Sequence, residues 1–396
     1  MLPALIKNLT ALGEQFQLPS DWLVERPYLF SPAIVPVSAA HAHCMQDAVH
    51  AITYITRLPA FQAQLLQTAD PIAQPNPGNL GVLFGYDFHL TPEGPKLIEI
   101  NTNAGGAFML ALLEAAHGVE NALETWQLNL MAMFLQEWQS IHPHQPLQHI
   151  AIVDDMPAQQ YFYPEFLLFQ HLFRAHHLRC NIVDTRDVHS VENKLYVFDT
   201  PQKEDKTAID LVYNRATDFT FSQPEHAALR RAYQENHAVF TPHPHAYALY
   251  ADKRHLALLS QSHFLHDAGV DAKTAALLQS VIPAAYLVDA ENAQAVWDTR
   301  KQYFFKPLNS YGSKGVYKGR TITKQVFADI LAGAYLAQRH VPPSEIRLDE
   351  HTKYKCDIRA YVYAGEILGF GARVYQGQMT NFRTPGSGFA MVKIMP

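Results

Sequence analysis

Two groups of residues are spaced for chemistry on a phosphate-bearing ligand. The first is Phe304–Gly319, FFKPLNSYGSKGVYKG. A short apolar strand, Tyr303–Phe305, runs into Lys306 and Pro307, and a polar loop with Ser310, Gly312, Ser313, Lys314 and Gly315 follows. Glycines let successive backbone N–H groups converge on an anion, and lysines on either side add point charges. The stretch lacks the GK[ST] ending of a P-loop and is closer to a glycine-rich flap over phosphates. The competing reading is an exposed hairpin with solvated lysines.

The second group lies in a predicted hairpin, LFGYDFHL, TPEG, PKLIEINT, over residues 83–102. Alternate side chains of a strand share a face. Glu99 and Asn101 therefore point one way, Ile98 and Ile100 the other, and Asp87 on the partner strand can join the first pair. Three oxygen ligands on one face suit Mg²⁺; an edge hairpin with solvated polar residues would show the same alternation. Asn103–Gly106, which follows, resembles a backbone anion-binding turn. Lys253 sits near the start of a predicted helix, Asp252–Leu259, where a lysine opposes the helix dipole. That placement hints that it serves a nearby anion. Arg215 lies just past a predicted strand, Ile209–Tyr213, where ligands bind in open α/β sheets; a buried structural salt bridge is its other possible role.

The elements that must position these residues are partly legible. Residues 38–67 read as helical with a break near Pro59, and Phe108–Gln139 as helical, interrupted near Gly118. His149–Asp154, Tyr163–His176 and Arg179–Asp184 form a β–α–β unit, which predicts parallel pairing. Ala334–Gln338, Arg359–Tyr363, Glu366–Val374 and Thr380–Phe382 read as strands. Val24–Pro36 is apolar but interrupted by Pro27 and Pro32.

Composition bounds the function. The 396 residues carry 31 basic and 37 acidic side chains, a net charge of −6, which argues against nucleic acid or an anionic membrane as partner. The three cysteines, Cys44, Cys180 and Cys356, are too few and too far apart for a disulfide framework. They suggest a reducing compartment, and with no signal-peptide pattern at the N-terminus the expectation is cytoplasmic. The 21 histidines are scattered; most read as surface residues.

Taken together, the separated pieces resemble the ATP-grasp superfamily. LIEINTNAGG resembles its metal-binding Glu-x-Asn strand, and YDFHLTPEG the companion strand, with Asp87 at the position of its metal-binding aspartate. DKRHLALLS and FFKP resemble the segments bearing its two phosphate-directed lysines, here Lys253 and Lys306. NSYGSKG resembles the flap and YLAQRHVPP the adenine hinge, with Gln338 in place. CDIRAYVYAGEILGFGARV resembles the strand pair carrying Asp357, Arg359 and Arg373, and TNFRTPGSG a segment of glutathione synthetase-like members. The order differs: Glu99 and Asn101 precede Lys253 instead of following the arginine strands. That order implies a circular permutation, as in glutathionylspermidine synthetase-like members.

The resemblance implies an α/β fold in three parts. Residues 1–145 would contribute the permuted metal strands, 146–250 a Rossmann-like α/β domain, and 251–396 the nucleotide-binding part. It implies ATP and Mg²⁺ as cofactors and an ADP-forming carboxylate–amine ligase acting through an acylphosphate; phosphoryl transfer without ligation and simple nucleotide binding are the alternatives. Arg359, Arg373 and Lys306 would be catalytic, and Arg215, Asn381 and Arg383 would recognise a substrate carboxylate. The substrates would be small acids and amines such as amino acids, short peptides or polyamines. The oligomeric state stays open, a homo-oligomer included.

Overall fold

The computed structural model describes residues 2–198, 206–308, 315–348, 350, 352–378 and 380–396. Strands are numbered in chain order: β1 (Phe30–Ser38), β2 (Phe84–Thr91), β3 (Gly94–Asn101), β4 (His149–Asp154), β5 (Arg179–Asp184), β6 (Val188–Val191), β7 (Lys194–Phe198), β8 (Lys206–Ile209), β9 (Leu211–Asn214), β10 (Val239–Thr241), β11 (Ala285–Leu287), β12 (Tyr303–Pro307), β13 (Tyr317–Lys318), β14 (Tyr335–Arg339), β15 (Ser344–Arg347), β16 (Lys353–Tyr363), β17 (Glu366–Tyr375) and β18 (Gly388–Met395).

Among the described residues the largest sheet runs β1-β18-β17-β16-β2-β3, with β15 also paired to β16. The early hairpin β2–β3 is therefore stitched to a strand some 270 residues later, with Asp87 opposite Arg359. On one face Tyr86, Phe88, Ile358 and Ala360 pack with the helix Ala39–Thr56. On the other, Tyr361 and Phe389 pack with the helix Ala107–Ala116. A second sheet, β10-β9-β4-β5, is parallel throughout, as the β–α–β reading expects. A third, β11-β14-β12-β13, is antiparallel and carries Lys306 and Gln338. A small antiparallel sheet, β6-β7-β8, flanks the second.

The helical breaks at Pro59 and Gly118 are where the sequence places them, between Ala39–Thr56 and Pro59–Leu66 and between Ala107–Ala116 and Ala122–Ile141. Neither β1 nor β18 is read as a strand from the sequence, and one expected strand is not formed. Val24–Pro36 contains most of β1, whose prolines are tolerated because β1 is the outermost strand and its register shifts between Phe30 and Ile34, around Pro32. The last strand, β18, pairs parallel with β1. Thr380–Phe382 is loop, not strand.

Candidate active site

The centre of the site is an irregularity in the β2–β3 hairpin. Asp87 pairs with Glu99 but Phe88 pairs with Leu97, so Ile98 is an extra residue on β3. A bulge of this kind re-aims side chains and takes one residue out of the ladder. The buried partner of Ile100 is thus Leu97; Ile98, expected on that same inward face, is only half-buried. The Ile98 carbonyl accepts from Lys306 Nζ (3.0 Å) and Gln338 Nε2 (3.2 Å). The antiparallel β12–β14 pair presents both donors, so the first and third sheets meet at this one carbonyl.

Glu99, Asn101 and Asp87 are brought together as expected. Asn101 Nδ2 donates to Asp87 Oδ2 (3.1 Å) and lies 3.4 Å from Glu99 Oε1. Arginines from the neighbouring strands close on the same carboxylate. Arg359 takes Asp87 through Nε (2.6 Å) and Nη2 (2.7 Å), and Arg373 Nη2 adds a third bond (2.8 Å). Arg373 Nε also donates to Asp357 Oδ1 (2.6 Å), and the Thr380 hydroxyl donates to Asp357 Oδ2 (2.8 Å). A chain of opposite charges therefore runs across three strands into the loop after β17. Gly85 makes room for it: a Cβ there would lie 2.9 Å from Arg359 Nε.

Burial pushes the Asp87 carboxyl up, but Arg359 and Arg373 outweigh it and hold the group below its ordinary range. Lys306 is 8% exposed, and its desolvation lowers its pKa; Glu99 opposes that shift and Lys253 adds to it. Burial likewise lowers Lys253, against the pull of Glu99 and Asp252. Two desolvated ammonium groups thus share one carboxylate. An arriving anion would restore what burial takes from both.

The turn after β3 binds an anion that belongs to the protein itself. Glu165 accepts from the backbone N–H of Gly106 (2.9 Å) and Phe108 (3.1 Å), at the start of the helix Ala107–Ala116. Gly106 has φ 102°, and a Cβ there would meet Phe389 at 2.2 Å. No sequence signal marked Glu165, which reads as an ordinary first-turn acid of its own helix. Arg215 is buried beside it, bonded through Nη1 to Asn103 Oδ1, while Asn103 Nδ2 donates back to the Arg215 carbonyl (3.0 Å). Asn381 donates to the Gln376 carbonyl (2.9 Å), and Arg383 is exposed on the same loop. Gly315 adopts φ 71°. Ser310, Gly312, Ser313 and Lys314 lie outside the described residues. Among the described residues no three His, Cys, Asp or Glu side chains cluster as a metal site, and no helix is long and apolar enough to cross a membrane.

No protein-family model and no curated protein matches the chain. Solved structures do. A glutathione synthetase-like effector from Globodera pallida, in its apo form, aligns over 97% of both chains at 14% identity with a TM-score of 0.57. A putative gamma-glutamylcysteine synthetase from Methylobacillus flagellatus aligns over 89% of this chain and 88% of its own, at 11% identity and TM-score 0.46. An ATP-grasp ligase solved with a minimal precursor aligns over 63% of this chain and 90% of its own, at 11% identity and TM-score 0.30. The chain shares its fold with the glutathione synthetase-like effector, a mixed α/β architecture of the ATP-grasp kind.

Proposed function

We propose that the protein is an ATP- and Mg²⁺-dependent carboxylate–amine ligase that forms an amide bond through an acylphosphate and releases ADP and phosphate. The observation that carries this reading is the convergence of Lys253, Lys306 and Glu99 with the Asp87–Arg359–Arg373 network where β3 bulges between two sheets. Lys253 and Lys306 bind the nucleotide phosphates, with the segment 310–315 as their cover and Gln338 at the junction of the two sheets. Arg359 and Arg373 now direct their donor forks at Asp87 and Asp357. Their further N–H groups hold the transferring phosphoryl group or the oxyanion that forms when the amine attacks.

The oxygen donors fit magnesium. Mg²⁺ is usually held by one or two carboxylates with phosphate oxygens and water completing its shell. This face offers Glu99, Asn101 and the Asp87 Oδ1 atom, which among the described residues accepts one bond, from Arg359. When bound, the ion offsets the charge on the β- and γ-phosphates. The Thr380 tether holds the loop bearing Asn381 and Arg383 beside Asp357. That placement supports their role, with Arg215, in recognising a substrate carboxylate. The three units 1–145, 146–250 and 251–396 and the circular permutation belong to the same reading. The insertion of β2–β3 beside β16 and the adjacency of the terminal strands β1 and β18 support it.

The test is ADP release with Mg·ATP across pools of amino acids, short peptides and polyamines, with product mass. A product equal to acid plus amine minus water is the expected result. ADP release without condensation would replace the ligase by a phosphoryl-transfer enzyme. ATP binding with no turnover in any pool would leave a nucleotide-binding protein. Glu99→Ala should abolish Mg²⁺-dependent turnover while the circular dichroism spectrum is unchanged.

A further inference from the structure

The first and third sheets meet at the Ile98 carbonyl, and the gap that opens beside this meeting point is basic on both sides. Phe305 and Ala337 are buried in the core beneath the third sheet. Phe304 therefore lies on its other face, with its partners Lys318 on β13 and Gln338 on β14. Lys306 and Gln338 show where that face points, since both reach the Ile98 carbonyl of the first sheet. His340 continues the row, its ring 4.9 Å from that of Phe304. Across the gap, Tyr86, Phe88, Cys356 and Ile358 are buried on the far face of the first sheet. His89 and Lys355 therefore stand on the near face, in line with Asp87 and Asp357. His89 Nδ1 donates to the Val341 carbonyl (2.9 Å) and ties the two sides together. After burial, the groups that act most strongly on His340 are Lys318, His89, Arg320 and Lys355, and each of them lowers its pKa. Arg320 is exposed, and Lys318 and Lys355 are half-buried. Among the described residues none of these three makes an ion pair. The Lys355 ammonium donates to the Gly377 carbonyl, and Asp357, two residues along β16, is taken by Arg373 and Thr380.

Like charges gathered in this way repel one another, and an anion relieves them. The chain as a whole carries −6, so at long range it repels a nucleoside triphosphate. Lys253 and Lys306, the phosphate-holding pair of the proposed reaction, are both desolvated and share Glu99, which blunts their reach. A cleft lined by one sign of charge focuses the field and raises the rate at which the opposite charge arrives. The basic gap begins at Phe304, two residues from Lys306, about 7 Å along the strand. We propose that Lys318, Arg320 and Lys355 form an electrostatic entry site for the nucleotide. They draw the polyphosphate into the gap between the two sheets and hand it on to Lys253 and Lys306, which hold it. This inference rests on the nucleotide-binding reading above and assigns to these three residues the rate of capture rather than the strength of the final complex.

Stopped-flow fluorescence tests this, with Mg·ATP carrying a fluorophore on its ribose and a chase of unlabelled Mg·ATP for dissociation. Adenosine with the same fluorophore is the neutral probe. The proteins are wild type, Lys318→Glu, Arg320→Glu, Lys355→Glu, the double variant K318E/R320E and, as a control with the same change of charge on a different sheet, the exposed Lys194→Glu. Each is checked for folding by its melting curve. At about 0.01 M salt, where charges act over about 30 Å, each single reversal in the gap should slow ATP association at least threefold and the double variant at least tenfold. Dissociation should change less than twofold, as expected of charges that steer an encounter. The differences should shrink as salt rises to about 1 M, where that reach is about 3 Å. K194E should bind ATP like wild type, and adenosine should associate equally fast with every variant. Should K318E or K355E not fold, R320E, at an exposed position, decides the matter. The proposal is overturned if the variants capture ATP at the wild-type rate, if they slow adenosine as much as ATP, or if dissociation alone changes. ATP that binds at a rate indifferent to these charges would leave the nucleotide reading standing without the entry site; no binding of ATP to wild type would remove both.

Discussion

At the scale of single residues, the site is a problem of shared charge. Asp87 receives four hydrogen bonds, from Arg359, Arg373 and Asn101, so its position is over-determined. The planar guanidinium of Arg359 does what an ammonium cannot: it grips both oxygens of one carboxylate and keeps a direction for its remaining donors. Arg359→Lys keeps the charge and loses the fork. The expected outcome is a fall in kcat/KM of at least a hundredfold, about 3 kcal/mol of lost transition-state stabilisation. Steady-state ADP release on the substrates found by pooling reads it, and a change of less than about threefold would remove Arg359 from the catalytic set. The residue types were readable here because strand periodicity puts Glu99 and Asn101 on one face. What periodicity missed was Ile98, because a bulge leaves no mark in a run of apolar and polar letters, and the carbonyl that joins the two sheets is a backbone atom that any residue supplies.

At the scale of elements, long-range polar ties decide where loops stop. Glu137 lies in the last turns of the helix Ala122–Ile141, and no sequence signal marked it. In the structure it is 1% exposed and accepts from Asn79 Nδ2 (2.7 Å), the N–H groups of Leu80 (3.2 Å) and Gly81 (2.8 Å), Thr241 Oγ1 (2.8 Å) and the Tyr363 hydroxyl (3.0 Å). One carboxylate thus fastens residues 79–81 and the ends of β10 and β16 to the helix Ala122–Ile141. Glu137→Gln would turn an acceptor into a donor amid five donor groups. It should cost about 3 kcal/mol of stability, seen as a lower urea midpoint, with no such loss for the exposed Glu124→Gln on the same helix. Equal midpoints for the two variants would show the network to be dispensable. The same distinction explains the strands that sequence reading missed. β1 and β18 are defined by pairing between the two ends of the chain, and local pattern holds no information about a partner more than 350 residues away. The parallel β4–β5 unit was legible because its strand, helix and strand are consecutive and each carries apolar residues at the spacing of its own element.

At the scale of the whole molecule, stability should depend on pH through a buried histidine held between two aspartates. His226 lies between Asp155 (2.7 Å) and Asp218 (2.9 Å), its side chain fully buried. Burial alone would lower its pKa, but the two carboxylates prevail and raise it to about 9. Asp218 is pushed up by burial and pulled down further by His226 and its other donors, to about 2. A histidine whose folded pKa exceeds its ordinary value of 6.5 stabilises fully below 6.5, and that contribution fades as pH rises toward 9. The aspartate acts in the opposite direction, contributing above its ordinary value of 3.8 and losing its effect as pH falls toward 2. Both contributions are therefore intact between about pH 4 and 6.5. Between pH 6.5 and 9 wild type should lose roughly 2 kcal/mol more stability than His226→Gln, which has no proton to release. The variant should be the less stable of the two at pH 6, where its two carboxylates face no cation, and the gap should close on the alkaline side. Urea denaturation at pH 6 and pH 9 measures both numbers. Parallel pH profiles for the two proteins would mean that the triad is held by neutral hydrogen bonds and that His226 carries no charge in the folded state.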